Sequence, residues 1–403
     1  MIRSSAFYIT TGVLTMFSVV TLAPSVHRWW AGAQGRRRRW LLGAALTSFS
    51  LGLEVVARGR APAGGGAYRW LVSFERSLAL ALWMAAFVAS GLRVLSAVVW
   101  KIHDLTAKSQ IETEFEPSPS REETLDRREV IARAMDVATL STASVFVGYG
   151  LLKGRSDFRV REVVLAIPNL PRTLEGYAIA QLTDIHVGMF TGVRDFASVI
   201  EKTQSLRTDS IVLTGDLLDS DVRHIPEAMR LFAQLHARDG VFAILGNHDY
   251  YTGHLEVLHG LRRAGIRTLV NENTRLRARD AGGIVLAGVD ELMAARWFAD
   301  RGVNLDAALD GIERGSPTVL LAHNPKVFEQ AKGRVDAQLS GHTHGGQLNI
   351  AGMMEPVLGY CSGLYHAQAS TLFVSNGLGF TGPPIRFNAP PEVVKIVLTR
   401  TGR

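Results

Sequence analysis

Five short apolar runs, each closing on residues that can bind metals, constrain this chain more than any other feature. Tyr177 to Leu182 leads into Asp184-Ile185-His186, and Ser210 to Leu213 leads into Gly215-Asp216-Leu217-Leu218-Asp219. Val241 to Leu245 leads into Gly246-Asn247-His248-Asp249, and Thr318 to Ala322 into His323. Asp336 to Leu339 delivers Gly341-His342-Thr343-His344-Gly345-Gly346-Gln347. Short apolar runs bounded by turn residues read as buried strands. Glu162 to Ile167, Ile284 to Val289, Thr371 to Ser375 and Val393 to Leu398 add further strands. Between them, Val193 to Leu206, Ile225 to His236, Leu255 to Ala264 and Pro325 to Lys332 carry helical periodicity. Strands alternating with helices predict a layered α/β domain around a largely buried sheet.

The carboxyl ends of such strands are where open α/β sheets place their ligands. In an extended segment residues i and i+2 point the same way, so His342 and His344 present parallel imidazoles, enough to serve two neighbouring metal ions. The glycines around them permit tight turns and close backbone approach. Taken singly, Asp184 or Asp216 fits a helix cap, Asn247 a turn and His323 a core histidine. Taken together, in order and all at strand ends, they define a site. His224, His236, His254 and His259 fall outside these motifs and read as surface residues, with His254 alone near enough to His248 to border a cleft.

The N-terminal part has a different texture. Ala6 to Ala23 is an uncharged apolar run, followed by Trp29-Trp30 and Arg36 to Arg39. That is the pattern of a membrane span with an aromatic and basic border. Further spans are expected from about Trp40 to Ala57 and from about Ser77 to Trp100. Residues 101–129 form a polar linker containing Pro117-Ser118-Pro119-Ser120. Arg127-Arg128 ahead of Val137 to Leu152 fits either an embedded twin-arginine export signal or a fourth span with a basic flank. Both give one orientation, and the richer arginine content of the first loop and the linker places the C-terminal domain outside the membrane. The expected organisation is a transmembrane region over 1–153, a connector over 154–164 and a catalytic domain over 165–403.

Charge follows the same division. Up to residue 160 there are 20 Lys and Arg against 12 Asp and Glu, and beyond it 24 against 25. The +7 surplus therefore belongs to the N-terminal part, and no nucleic-acid partner is expected for the C-terminal domain. The single cysteine, Cys361, excludes an internal disulfide and a cysteine metal site.

The order DxH, GDxxD, GNHD, a lone His and GHTH resembles the calcineurin-like metallophosphoesterases over about residues 165 to 403. Gly345-Gly346-Gln347, with the tail Ser375 to Gly379, Pro384-Ile385-Arg386 and Pro391-Glu392, is similar to the membrane-associated bacterial branch of that family. The resemblance implies a four-layered sandwich of two sheets flanked by helices. It also implies two divalent ions (Mn, Fe or Zn), one held by Asp184, His186, Asp216 and His344. Asp216 bridges to the other, held also by Asn247, His323 and His342. His248 is then the residue that contacts phosphate or leaving group, with Asp249 or Asp219 fixing its tautomer. The function expected is a membrane-tethered phosphohydrolase whose partners are membrane lipids and a phosphoester substrate. Met293, Trp297, Phe298, Leu364 and Tyr365 are candidates to receive an acyl chain. The competing readings are a nuclease or nucleotide phosphodiesterase, and a silent membrane scaffold or sensor that retains its metal site.

Overall fold

The computed structural model describes residues 158–400, apart from 189–190, 278–281, 348, 350, 351, 353 and 382–385. These all lie in the second of the two units into which the chain divides, Gly150–Arg403. The spans, linker and arginine pair expected within 1–153 lie outside the described residues. Among the described residues no helix is long and apolar enough to cross a membrane.

Two six-stranded sheets form the domain. The first has the order β1 (Arg159–Ile167), β12 (Glu392–Arg400), β2 (Ala178–Leu182), β3 (Ser210–Thr214), β4 (Val241–Ile244) and β5 (Arg267–Thr268). The second runs β10 (Gly363–Ala367), β11 (Ser370–Val374), β9 (Ala337–Ser340), β8 (Thr318–Leu321), β7 (Ile284–Gly288) and β6 (Glu272–Leu276). Strands β2, β3 and β4 pair in parallel. So do β7, β8, β9 and β11. All seven therefore end at the same edge of their own sheet.

Period-two alternation explains the layering. Along β3, Ile211 and Leu213 face the core shared with the helices, while Val212 faces the core between the sheets. In the second sheet Val319 and Leu321 meet that inter-sheet core and Leu320 turns to the opposite face. Helices α1 (Val193–Ser205), α2 (Ile225–Phe232) and α4 (His254–Arg263) cover the first sheet. Phe196 of α1 and Phe232 of α2 meet edge to face at 5.7 Å. Short α3 (Asn247–Thr252) starts directly at the GNHD motif. On the far face of the second sheet, Leu305 and Ala308 of α5 (Leu305–Ala308) and Ala331 of α6 (Phe328–Ala331) bury against Ala287 and Leu320. Helix, sheet, sheet, helix gives the four layers that the resemblance implied.

One polar residue crosses the middle. Gln181 of β2 is fully buried and donates to Thr214 Oγ1 at 2.9 Å and to the Ser340 carbonyl at 3.1 Å. It thereby joins the ends of β2, β3 and β9, the strands that lead into three of the motifs.

Candidate metal centre

The loops after these strands approach so closely that side chains are excluded. A Cβ on Gly215 would lie 2.7 Å from His323 Nδ1, and one on Gly341 would run into Thr183 Oγ1 and Asp184 Oδ2. Asp184, His186, Asp216, His342 and His344 all take left-handed φ values, of 51°, 48°, 51°, 72° and 53°. Backbone held in that region by non-glycine residues is strained, and such strain gathers at functional sites. Here each turn aims its own side chain inward.

The donors converge in three groups: Asp184 with His186 and His344, His186 with Asp216 and His248, and Asp216 with His323 and His342. His186 Nε2 lies 3.1 Å from His344 Nε2. His342 Nδ1 lies 3.2 Å from His323 Nε2. Asp216 stands between the two pairs: Oδ1 accepts from His248 N at 2.8 Å. Its Oδ2 is 3.6 Å from His186 Nε2 and 3.2 Å from His323 Nε2. Asp184 Oδ1 is 3.4 Å from His344 Nε2, and both Asp184 oxygens receive His342 N, at 2.9 and 3.0 Å.

These spacings fit metal ions. Donors on one ion with bonds of about 2.1 Å are separated by about 3.0–3.4 Å, close to the separations found. Asn247 Oδ1 is buried without a hydrogen-bond partner, as an oxygen meant for a cation would be. His323 Nδ1 lies 2.9 Å from the Thr214 carbonyl, so it carries the proton and leaves Nε2 as the free donor. The mixture of carboxylate, amide and imidazole suits Mn, Fe or Zn.

Electrostatics agree for three of the four ligand imidazoles; at His323 burial is outweighed by Asp216, which raises the ring well above its ordinary value while no cation shares the carboxylate. Burial, reinforced by His248, holds His186 neutral down to about pH 3. Burial likewise lowers His342 to about 4 and His344 well below its ordinary value. Neutral imidazole is the ligating form. Burial raises Asp184 to about 6. For Asp216 burial works upward too, but the charge of His323 and His248 outweighs it and leaves the carboxylate well below its ordinary value.

His248 differs from the others. Burial opposes its charge, yet Asp216 and Asp219 raise its pKa to about 9. Its Nδ1 lies 2.5 Å from the Asp219 carbonyl and 3.5 Å from Asp219 Oδ1. Of the two carboxylates considered for fixing its tautomer, Asp219 is the neighbour. Asp249 is turned elsewhere: Oδ2 accepts from Gly246 N at 2.9 Å, and Oδ1 from Leu217 N and Leu218 N at 3.0 and 3.1 Å. Its acceptors are spent on the backbone of two strand-end loops.

His254 does not border the centre by itself. It is buried, stacked on Tyr250 at 4.7 Å and against Phe298 at 4.6 Å. The ring nearest His248 on that side is Tyr251, at 5.2 Å, which in turn meets Trp297 at 5.2 Å. Leu364 and Tyr365 belong instead to edge strand β10, where the Tyr365 hydroxyl accepts from Cys361 N at 2.9 Å.

The motifs missed three residues at the site. Glu291, past the end of β7, is buried with Oε2 unpartnered. Its position after a strand was a usable signal. Thr381 brings Oγ1 to 2.8 Å from His344 Nε2. Arg386, quoted above only as part of the tail, is buried 3.2 Å from His344 Nδ1. Neither Thr381 nor Arg386 follows a strand, so nothing local marked them.

Fold and site together define a two-sheet α/β protein with paired divalent-metal positions at its strand ends. A model of the family described as calcineurin-like phosphoesterase matches residues 177–346. The chain is 34% identical over 277 residues to a Danio rerio "Transmembrane protein with metallophosphoesterase domain", covering 65% of this chain and 62% of that one. It is 34% identical over 273 residues to an uncharacterised metallophosphoesterase of Campylobacter jejuni, covering 66% and 70% respectively. An Aquifex aeolicus relative, also named a metallophosphoesterase, is 31% identical over 251 residues, covering 60% of this chain and 93% of its own. The chain belongs to the calcineurin-like metallophosphoesterase family. It spans just under two thirds of the Danio rerio and Bos taurus relatives, 62% and 64% of their lengths.

Proposed function

We propose that this chain is a membrane-tethered, binuclear metal-dependent phosphohydrolase whose substrate is a membrane-associated phosphodiester or lipid-linked phosphate. The observation that carries the hydrolase reading is Asp216, whose Oδ2 faces one imidazole cluster through His186 and the other through His323. Asp184, His186, Asp216 and His344 hold one ion in this reading, and Asp216, Asn247, His323 and His342 hold the other. When bound, two such ions neutralise the phosphate and supply the Lewis acidity that lets water attack it in line. Against burial, Asp219, together with Asp216 while no cation shares its charge, raises the pKa of His248 to about 9. His248 offers an N–H to a phosphate oxygen or to the departing oxygen. Asp219 orients that ring; Asp249 holds the loop beneath it.

The substrate side rests on what adjoins His248. Tyr251, whose ring meets His248 at 5.2 Å, is 45% exposed, and Phe298, 5.9 Å from the Tyr250 ring, is 38% exposed. Trp297 lies between Tyr251 and the Tyr250 ring, at 5.2 and 6.2 Å. An apolar strip beginning at the phosphate-contacting histidine suits a substrate with an acyl or polyprenyl portion, and exposed apolar strips of this kind mark docking sites. The balanced charge beyond residue 160, 24 basic against 25 acidic residues, supports a substrate other than nucleic acid. The membrane region over 1–153 tethers the domain in this reading and places it on the external, periplasmic side. The Danio rerio relative's name is in keeping with a tether.

The test is chelation followed by metal return, on an aryl phosphodiester and on a phosphomonoester. Turnover is expected to vanish with the chelator and to recover with Mn. His248→Ala is expected to lower kcat by about 10²–10⁴, the usual contribution of a positioned acid or base, with metal content unchanged. Full turnover in chelator would end the metal reading, and joint loss of metal and rate in His248→Ala would make His248 a ligand.

A further inference from the structure

The tail between β11 and β12 crosses the metal centre and is fastened to it at several points. Leu378 N donates to the Thr183 carbonyl at 3.1 Å and Gly379 N to the Asp184 carbonyl at 2.6 Å. Arg386, buried, donates through Nε to the Gly379 carbonyl at 3.1 Å and through Nη1 to the Asn376 and Ala389 carbonyls at 2.8 and 3.0 Å. The last fastening is made by Gln347, the residue that closes the GHTHGGQ motif. Its Oε1 accepts from Thr381 N at 3.0 Å, and its Nε2 donates to the Thr381 carbonyl at 3.0 Å. Gln347 itself is held in a left-handed conformation, φ 45°, with its carbonyl accepting from Phe387 N at 2.8 Å.

This double clamp fixes where the Thr381 side chain goes. Thr381 Oγ1 lies 2.8 Å from His344 Nε2 and 3.4 Å from His186 Nε2, and those two nitrogens are 3.1 Å apart. Two of these separations, 3.1 and 3.4 Å, match the edges of about 3.0–3.4 Å on the triangular face that one ion with bonds of about 2.1 Å presents, and the third, 2.8 Å, is slightly shorter. A threonine hydroxyl has two acceptor lone pairs, so it can face a cation that both imidazoles also face.

We infer that Thr381 Oγ1 is a further oxygen ligand of the metal position held by Asp184, His186 and His344, and that Gln347 is its positioning residue. The inference rests on the binuclear reading above and adds a neutral ligand to it. It also gives the end of the GHTHGGQ motif a task that the histidines leave open. A neutral hydroxyl changes the reach of the site without changing its charge.

The experiment is Co(II) binding to the full-length, chelator-stripped chain, followed by visible absorption and metal analysis. Thr381→Val keeps the shape and removes the oxygen; it is expected to weaken one of the two ions by about 10–100-fold, the scale of lost support around a metal, and to change the cobalt spectrum. Thr381→Ser is expected to restore both. Gln347→Ala is expected to weaken the same ion, and the double variant Gln347→Ala, Thr381→Val no more than Thr381→Val alone, because the two residues act in series. Wild-type protein that binds no cobalt overturns the metal reading and this inference with it. Wild-type uptake of two ions, matched in affinity and spectrum by Thr381→Val, overturns this inference alone. Additive losses in the double variant overturn the role given to Gln347.

Discussion

Glu291 follows β7 as His323 follows β8, and the parallel pairing of those strands, Gly288 opposite Leu321, brings both to the same end of the sheet. Oε1 of Glu291 accepts from Met293 N at 3.1 Å, and Oε2 is buried without a partner. Burial pushes this carboxyl up to about 7 from 4.5, with His323 pulling the other way. A carboxyl whose pKa is higher folded than unfolded binds its proton better in the folded chain. Its stabilisation is complete below about pH 4.5 and is lost as pH rises through about 7. Asp249, also raised to about 7, and Asp184, raised to about 6, act in the same direction. His186, His342 and His344, held below their ordinary value, work the other way below about pH 6.5, so the share of Glu291 is read in chelator-treated protein as the melting difference between wild type and variant from about pH 5 to about 8.5. Glu291→Gln, neutral throughout, should lose part of that dependence and gain on the order of 2–3 kcal/mol over the wild type at the alkaline end. Parallel melting profiles for the two proteins would show that Glu291 is ionised without penalty.

At the level of elements, every strand with two neighbours was legible, and of the four edge strands only β1 was. The predicted runs at Ser210, Val241, Ile284 and Thr318 start where β3, β4, β7 and β8 start, because a central strand buries both faces and reads as continuous apolar sequence. The missed strands β5, β6 and β10 all lie at a sheet edge. An edge strand packs on one side only, and Glu272-Asn273-Thr274-Arg275 of β6 carries no apolar signal. The site was legible to a similar extent: residues that follow a central strand were found, Glu291 after β7 excepted, and Thr381, held by Gln347 from far away in sequence, was not. Asp249 shows what a motif conceals, since its value lies in joining two loops. Asp249→Ala would strand three buried N–H groups, of Gly246, Leu217 and Leu218. At about 1–3 kcal/mol each, less what is recovered by no longer burying a carboxylate, a net loss of about 3 kcal/mol in urea unfolding is expected. Asp249→Asn, with one acceptor oxygen left, should fall between. A loss below about 1 kcal/mol for the alanine variant would mean that the loops hold their shape without the carboxylate.

For the whole molecule, the proposed hydrolase calls for a reason why as many as four spans are expected. One transmembrane helix already anchors a protein irreversibly. The proposed tether suits a substrate whose phosphate lies at headgroup level, and Tyr251 against His248, with Phe298 further out beside Tyr250, supplies exposed apolar surface for the rest of it. The prediction separates chemistry from delivery. A shortened chain beginning at Arg155 keeps every residue of the centre, so its turnover on a small soluble aryl phosphate ester should match that of the full chain. On a phospholipid or lipid-linked phosphate presented in vesicles it should be slower, since it must find the surface by diffusion. Replacing Tyr251 and Phe298 with serine in the full chain should raise KM for the vesicle substrate and leave the soluble ester unaffected. Equal vesicle rates for the full and shortened chains would remove delivery as the purpose of the tether. A loss on both substrates in the serine variant would place those rings in support of the fold, since a docking surface for the lipid portion has no contact with a substrate that lacks one.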